Sequence, residues 1–316
     1  MAHFDMPLEQ LQTYTPPLTR RADHAAFWST TLAKAQDIPL EIRTTPVDFL
    51  VAGYQVQDVS FLSWAETPMA GTFVCPAGSG PFPALVIYHG YYGRRPDTFT
   101  LLAWAAAGYA VLAVDVRGQG GYTGDSAIYP DGQAAGWLTK GIAQPDTYYY
   151  RGVYVDCVRA VDVLATMPGV DPTRIGVTGI SQGGALTLAT AALHPQVKAA
   201  AAEVPFLCHF ERAVTIVDTV PYSEIATFCR SRPTQVEQVF TTLSYFDVMN
   251  LADRITCPTH VTVGLMDAVC PPSTVFAAYN RITAPKAALV SSFALHEHLP
   301  GAREAQLHWF AEHLAQ

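Results

Sequence analysis

The stretch "GISQGG", Gly179 to Gly184, decides how the rest of the chain is read. G-x-S-x-G is the turn that α/β-hydrolases use to hold a nucleophilic serine exposed between a strand and the helix after it. Glycines flank the serine because so tight a turn leaves little room for side chains beside it. The motif is short enough to arise by chance, so its surroundings must agree with it. "GVDPTRIGVTG" (169–179) supplies a turn and a strand directly before Ser181. "GGALTLATAALHP" (183–195) has helical spacing directly after.

Working outward, apolar runs alternate with helical stretches, the pattern of a mostly parallel α/β sheet flanked by helices. "ALVIYHG" (84–90), "AVLAVDV" (110–116), "KAAAAEV" (198–204), "THVTVG" (259–264) and "KAALVSSF" (286–293) read as strands. Helices are expected over 21–36, 98–109, 148–167 and 271–282, and from about residue 301. "VDFLVAGYQV" (47–56) and "AGTFVCP" (70–76) read as antiparallel edge strands of the same sheet. Residues 206–250 are helical, aromatic and punctuated by proline, too long for a simple crossover; they read as an insertion capping the site. With no linker or repeat, one α/β-hydrolase domain over 1–316 is expected.

Half of the 316 residues are hydrophobic and 15% are charged, against about 25% charged in an ordinary soluble domain. That leaves ample material for a large core and hints at surface buried between subunits. The net charge, 19 − 27 = −8, and the lack of any Lys/Arg run exclude a nucleic-acid footprint. No apolar run approaches the ~18 residues of a membrane span, and "MAHFDMPLEQLQTY" lacks the pattern of a secretory signal. Six scattered cysteines with no C-x-x-C pair fit a reducing, cytoplasmic setting.

A serine hydroxyl needs a histidine to take its proton, and that histidine needs a carboxylate to fix its tautomer. In this fold the partners follow in the order serine, acid, histidine. "GLMDAVCPP" places Asp267 just past one strand, and "ALHEHLP" places His296 just past the next. Each has a plainer reading. Asp267 could be a turn former or helix cap, and His298 competes with His296 as the base. His296 and His298 also make an H-x-H pair of a kind that ligates zinc, but no further Cys/His cluster offers a third ligand. The joint placement of serine, acid and histidine at strand ends favours the triad, which calls for no metal and no cofactor. His194, His308 and His313 read as packing or solvent-facing helix residues.

The negative oxygen formed during acyl transfer needs donors. In this fold they are the backbone N–H after the nucleophile, here Gln182, and one from the loop after an earlier strand. "HGYYG" (89–93) is that loop, with Tyr91 the natural donor; otherwise it is a strand-exit turn with exposed aromatics.

"RGQG" (117–120), "GISQGG" (179–184) and "HE" (296–297) together resemble the signature motifs of the acetyl xylan esterase/cephalosporin C deacetylase family, carbohydrate esterase family seven. "GWLTKGI" (136–142), "TYYYRGVYVDCVRAV" (147–161), "LSYFDVMNLADR" (243–254) and "CPPSTVFAAYN" (270–280) are similar to its other blocks, so the likeness covers nearly the whole chain. The resemblance implies Ser181 as nucleophile, His296 as base, Asp267 as its orienter, and the N–H groups of Tyr91 and Gln182 as oxyanion donors. It implies that Pro221 in "VPYSEI" helps close the acyl pocket. Arg117 and Gln119 would be structural supports; the partner of Arg117 is open, with Glu297 one candidate. Small acetylated carbohydrates and cephalosporin-type esters are the implied substrates, water or hydrogen peroxide the acceptor, and a ring-shaped hexamer the implied assembly. The loop 120–135 varies in the family and leaves the preferred alcohol open. A general carboxylesterase or thioesterase on the same fold is the rival enzyme reading. A binding module on a hydrolase fold is the rival outside enzymes, and it sits poorly with an intact triad.

Overall fold

The computed structural model describes residues 4–315. Nine strands form one sheet: β1 (Arg43–Pro46), β2 (Tyr54–Leu62), β3 (Pro68–Pro76), β4 (Phe82–Tyr88), β5 (Ala110–Val114), β6 (Val170–Ile180), β7 (Val197–Glu203), β8 (Thr259–Gly264) and β9 (Lys286–Ser291). Their spatial order is β1-β2-β3-β5-β4-β6-β7-β8-β9. Pairings from β1 through to β5 are antiparallel, and those from β5 through β4 to β9 are parallel. This is the α/β-hydrolase arrangement, with an extra strand at the antiparallel edge.

The period-two alternation of a strand divides each central run between two cores. Leu85 and Ile87, Val111 and Ala113, and Ala199 and Ala201 point to one face, where helices Thr98–Ala106 and Ala302–His313 cover them. Ala84, Val86 and Tyr88, with Ala110, Leu112 and Val114, point to the other. There helices Tyr149–Thr166 and Gln182–Leu193 lie, the second buried along its whole length. Because both faces are covered, these strands read as unbroken apolar runs rather than as alternation.

One sequence expectation is corrected. Of "VDFLVAGYQV" only Tyr54–Val56 belongs to a strand. The chain leaves the sheet edge after Val47, whose N–H still donates to Val56 O at 2.9 Å, and Gly53, at φ +88°, turns it back into β2. Leu50 is left 94% exposed, which an inward-facing strand residue would not be. Residues 206–250 form helices Phe210–Ile216, Tyr222–Ser231 and Val236–Ser244. No helix among the described residues is long and apolar enough to cross a membrane.

Candidate active site

β6 ends at Ile180 and the next helix begins at Gln182, so a single residue makes the turn. Ser181 takes it with φ 57° and ψ −115°, a conformation that costs a side-chain-bearing residue free energy. The turn is pinned on both sides: Ser181 N–H donates to Glu203 O (2.9 Å), and Ser181 O accepts from Phe206 N–H (3.0 Å). Its glycines are explained by contact. A Cβ on Gly183 would lie 2.1 Å from Tyr88 O, and one on Gly179 2.5 Å from the same oxygen. Only glycine lets the helix start so close to β4.

His296, on the loop after β9, has its Nε2 2.9 Å from Ser181 Oγ. Its Nδ1 lies 2.8 Å from Asp267 Oδ2. Asp267 is 1% exposed, and its Oδ1 accepts from the N–H groups of Val269 and Cys270, each at 2.8 Å. The carboxylate is thus fixed before it meets the imidazole, and Asp267 is turn former and histidine partner at once. Serine, histidine and acid form one continuous chain of hydrogen bonds, in the order expected from their strand ends.

His298 turns elsewhere: its Nδ1 bonds Glu203 Oε2 at 2.8 Å, so the two histidines share no centre. Cys270 joins Asp267 and His296 in a group whose donor atoms lie within 4.8 Å of one another. Both His296 nitrogens are taken by protein partners, and burial pushes the Cys270 thiol far above its usual range.

The loop after β4 turns at Gly90–Gly93, closed by Gly93 N–H to Gly90 O at 3.0 Å. Tyr91 occupies its second position, whose N–H takes no part in the turn's own bond. A Cβ on Gly90 would stand 3.8 Å from Ser181 Cβ, so the loop runs alongside the serine. Gln182, first in its helix, has an N–H with no intrahelical acceptor. Its side chain is locked: Oε1 accepts from Gln119 Nε2 (2.9 Å) and Tyr150 OH (2.8 Å), while Nε2 donates to Gln119 Oε1 (3.2 Å).

Glu224, from helix Tyr222–Ser231, meets this loop. Its Oε2 accepts from Tyr91 OH and its Oε1 from Tyr92 OH, both at 2.9 Å. Leu138 N–H also donates to Oε2, at 3.1 Å, and Tyr91 OH accepts from Trp137 N–H at 2.6 Å. Burial raises the Glu224 carboxyl above its ordinary range. Burial, then the neighbouring carboxylate, push the Tyr91 phenol well up, so it donates as a neutral group. Pro221, buried, stands at the head of the same helix.

The candidate Glu297 is not the partner of Arg117. Glu297 accepts from the N–H of Leu295, two residues away. Arg117, fully buried, donates from Nε and Nη2 to the two oxygens of Asp156 at 2.6 and 2.7 Å. Nη2 also reaches Trp64 O, and Nη1 reaches Asp125. Burial opposes the guanidinium charge, but Asp156 and Asp125 outweigh it and raise its pKa. Sequence reasoning also missed Glu224 and Tyr150. An acid inside an otherwise buried helix, as Asp156 is, was the one available signal that a buried cation faces it.

The sequence profile of the family described as acetyl xylan esterase (AXE1) matches residues 1–314. The chain is 44% identical to an acetyl xylan esterase from Paenibacillus sp. R4, whose solved structure matches 98% of this chain and 100% of its own with a TM-score of 0.95. Acetyl xylan esterase 1 from Thermoanaerobacterium sp. JW/SL YS485 is 35% identical, with a TM-score of 0.94 over 98% of this chain and 99% of that one. Acetyl esterase Axe7A of Xylanibacter ruminicola is 30% identical over 312 residues, 95% of this chain and 68% of the relative. With sequence and fold agreeing from end to end, the protein belongs to the acetyl xylan esterase family and is a carboxylic ester hydrolase.

Proposed function

We propose that the protein is a serine esterase that removes acetyl groups from acetylated xylo-oligosaccharides and related small esters through Ser181, His296 and Asp267. The observation that carries the reading is the unbroken hydrogen-bond chain from Ser181 Oγ through His296 to Asp267. Ser181 Oγ attacks the acetyl carbonyl while His296 Nε2 takes its proton, and Asp267 holds the resulting imidazolium. The N–H groups of Tyr91 and Gln182 stabilise the tetrahedral oxyanion. The alcohol leaves with the proton from His296. Water then attacks the acetyl-enzyme, giving its proton to His296, and Ser181 regains a proton as acetate departs.

Tyr91, Gln182 and Pro221 would wall an acyl pocket sized for acetyl. The ratio of kcat/KM for 4-nitrophenyl acetate over 4-nitrophenyl butyrate is expected to lie well above one. One added pair of methylenes costs a tight pocket at least about tenfold. A ratio below one would move the protein to the broader carboxylesterases or thioesterases.

Glu224 enters this reading through Tyr91. Replacing it with glutamine keeps the shape but aims an N–H₂ at one tyrosine hydroxyl. Charge-assisted bonds of this kind contribute about 1.5–3 kcal/mol, and the loop they fix carries a proposed oxyanion donor. Glu224→Gln is expected to lower kcat for acetyl esters by about tenfold with a smaller change in KM. An unchanged kcat would separate the Tyr91 clasp from catalysis.

Cephalosporin-type 3′-acetates join the proposed substrates on the motif resemblance. A homohexamer is proposed on the same ground, supported by a charged fraction of 15%; sedimentation of the purified protein tests it. A reducing, cytoplasmic setting is supported by six unpaired cysteines.

A further inference from the structure

The loop after β9 carries two histidines, and the proposed reaction uses one of them. Ala294 O accepts from Met266 N–H at 3.1 Å, and the O of buried Leu299 accepts from Ala302 N–H at 3.0 Å. Between these two points the chain arches over the site. Among the described residues, 295–298 make no backbone-to-backbone hydrogen bond, and Leu295 N–H turns inward to Glu297 of the same arch. Apart from the bond to Ser181, the arch is joined to the rest of the described chain by two side-chain bonds. His296 Nδ1 meets Asp267 Oδ2 and His298 Nδ1 meets Glu203 Oε2, each at 2.8 Å.

Glu203 ends β7 and lies beside Ile180 in the sheet register. It is buried, and both carboxylate oxygens are bonded, Oε2 to His298 and Oε1 to Gln306 Nε2, at 2.8 Å. Burying an acid is costly unless its oxygens are satisfied, so these bonds fix where the carboxylate can be. The carbonyl of the same residue accepts Ser181 N–H at 2.9 Å, one of the two bonds that pin the strained turn. A Cβ on Gly184 would stand 2.5 Å from that oxygen, so the helix after Ser181 packs directly on it. One residue therefore grips the nucleophile by its main chain and the arch of the base by its side chain.

We infer that Glu203 and His298 are positioning residues, a tether that holds the loop of His296 in register with the turn of Ser181. The inference rests on the proposed Ser181–His296 chemistry and adds to it. Asp267 fixes one atom of the imidazole and leaves the ring able to swing about that bond; a second tether two residues further on removes the swing. Rate is sensitive to such freedom, since a displacement of about 1 Å can cost on the order of 10². Facing a carboxylate, Nδ1 is the donor in the neutral and in the protonated ring, so the tether holds in both states.

The test begins with His298, because its half-exposed side chain can be removed without opening the core. His298→Ala is expected to lower kcat for 4-nitrophenyl acetate by roughly tenfold, less than a full misplacement because the Asp267 bond remains. KM should stay within about twofold, as the tether touches no substrate. Labelling of Ser181 by an organophosphonate should slow by the same factor as kcat, and the denaturant midpoint should hold. His298→Asn should return kcat to within about twofold of the parent, because an asparagine amide nitrogen is bonded to Cγ as Nδ1 is and can donate in its place. Arg303→Ala, which removes a charge from the cavity that His298 also lines, should leave kcat unchanged. Glu203→Ala should be slow too, and Glu203→Ala/His298→Ala no slower than Glu203→Ala alone, since both cut one tether. If Glu203→Ala does not fold, the His298 series decides. A His298→Ala enzyme with the kcat of the parent overturns the inference, as does a loss that asparagine does not recover. In either case, hydrolysis that still disappears in Ser181→Ala leaves the esterase reading standing. Hydrolysis that persists in Ser181→Ala removes that reading and the tether with it.

Discussion

Ser181→Ala is expected to lower kcat for 4-nitrophenyl acetate by on the order of 10⁵–10⁶ and to abolish labelling by a serine-directed organophosphonate. The size follows from the site's wiring. Ser181 Oγ is the hydroxyl that His296 Nε2 meets, so alanine leaves the base with nothing to deprotonate. His296→Ala should cost nearly as much, because an unassisted hydroxyl is a poor nucleophile. Asp267→Asn should cost about 10⁴, since it favours the wrong imidazole tautomer while leaving the oxyanion donors in place. Combining the replacements should add little, as the members act as one unit. Residual turnover some 10³ above the uncatalysed rate is expected from oxyanion stabilisation and binding alone. Steady-state kinetics on purified variants, with circular dichroism to establish that each is folded, gives the ranking. Activity in Ser181→Ala close to that of the unaltered protein would reduce "GISQGG" to a structural turn.

Much of this centre was legible because its determinants are local. The motif "GISQGG", the strand before it and the helix after it occupy some two dozen consecutive residues, and Asp267 and His296 each follow their own strand at once. The central strands β4, β5, β7 and β8 were legible because both faces of the sheet are covered there, which writes unbroken apolar runs into the chain. What escaped was set by packing between segments far apart. Arg117 lies 39 residues from Asp156, and its choice among the acids depends on which side of helix Tyr149–Thr166 faces the strand-exit loop. Glu224 stands 133 residues from Tyr91, and no local pattern says that an insertion folds back onto the loop after β4. The edge of the sheet misled for another reason. "VDFLVAGYQV" has the composition of a strand, but a strand needs a neighbour, and past Val47, whose N–H still donates to Val56 O at 2.9 Å, the chain has left β2.

The buried Arg117–Asp156 pair carries the largest expected effect on stability. Both side chains are all but fully buried, with a fork of two short hydrogen bonds between them. Removing either partner strands the other charge without water, which costs about 3–5 kcal/mol. Arg117→Met and Asp156→Leu are each expected to lower the free energy of unfolding by that amount, read from denaturant midpoints at unchanged slope. Arg117→Met/Asp156→Leu should recover part of the loss, because a pair of apolar groups leaves no bare charge; the coupling then appears as a double-mutant term. Activity should follow in part. Arg117 O accepts from Tyr149 OH, whose hydroxyl also meets Gln119 Nε2, and Gln119 is paired with Gln182. Loosening Arg117 therefore frees the support behind a proposed oxyanion donor, so kcat should fall in variants that remain folded, with the preference for acetate over butyrate relaxed. Single variants as stable as the parent would mean that water reaches the Asp156 carboxylate left in Arg117→Met and that neighbouring Asp125 takes over the guanidinium left in Asp156→Leu. The loop 115–125 would then hold its place through Tyr149 and Trp137, whose Nε1 donates to Gly118 O at 3.0 Å, without help from the ion pair.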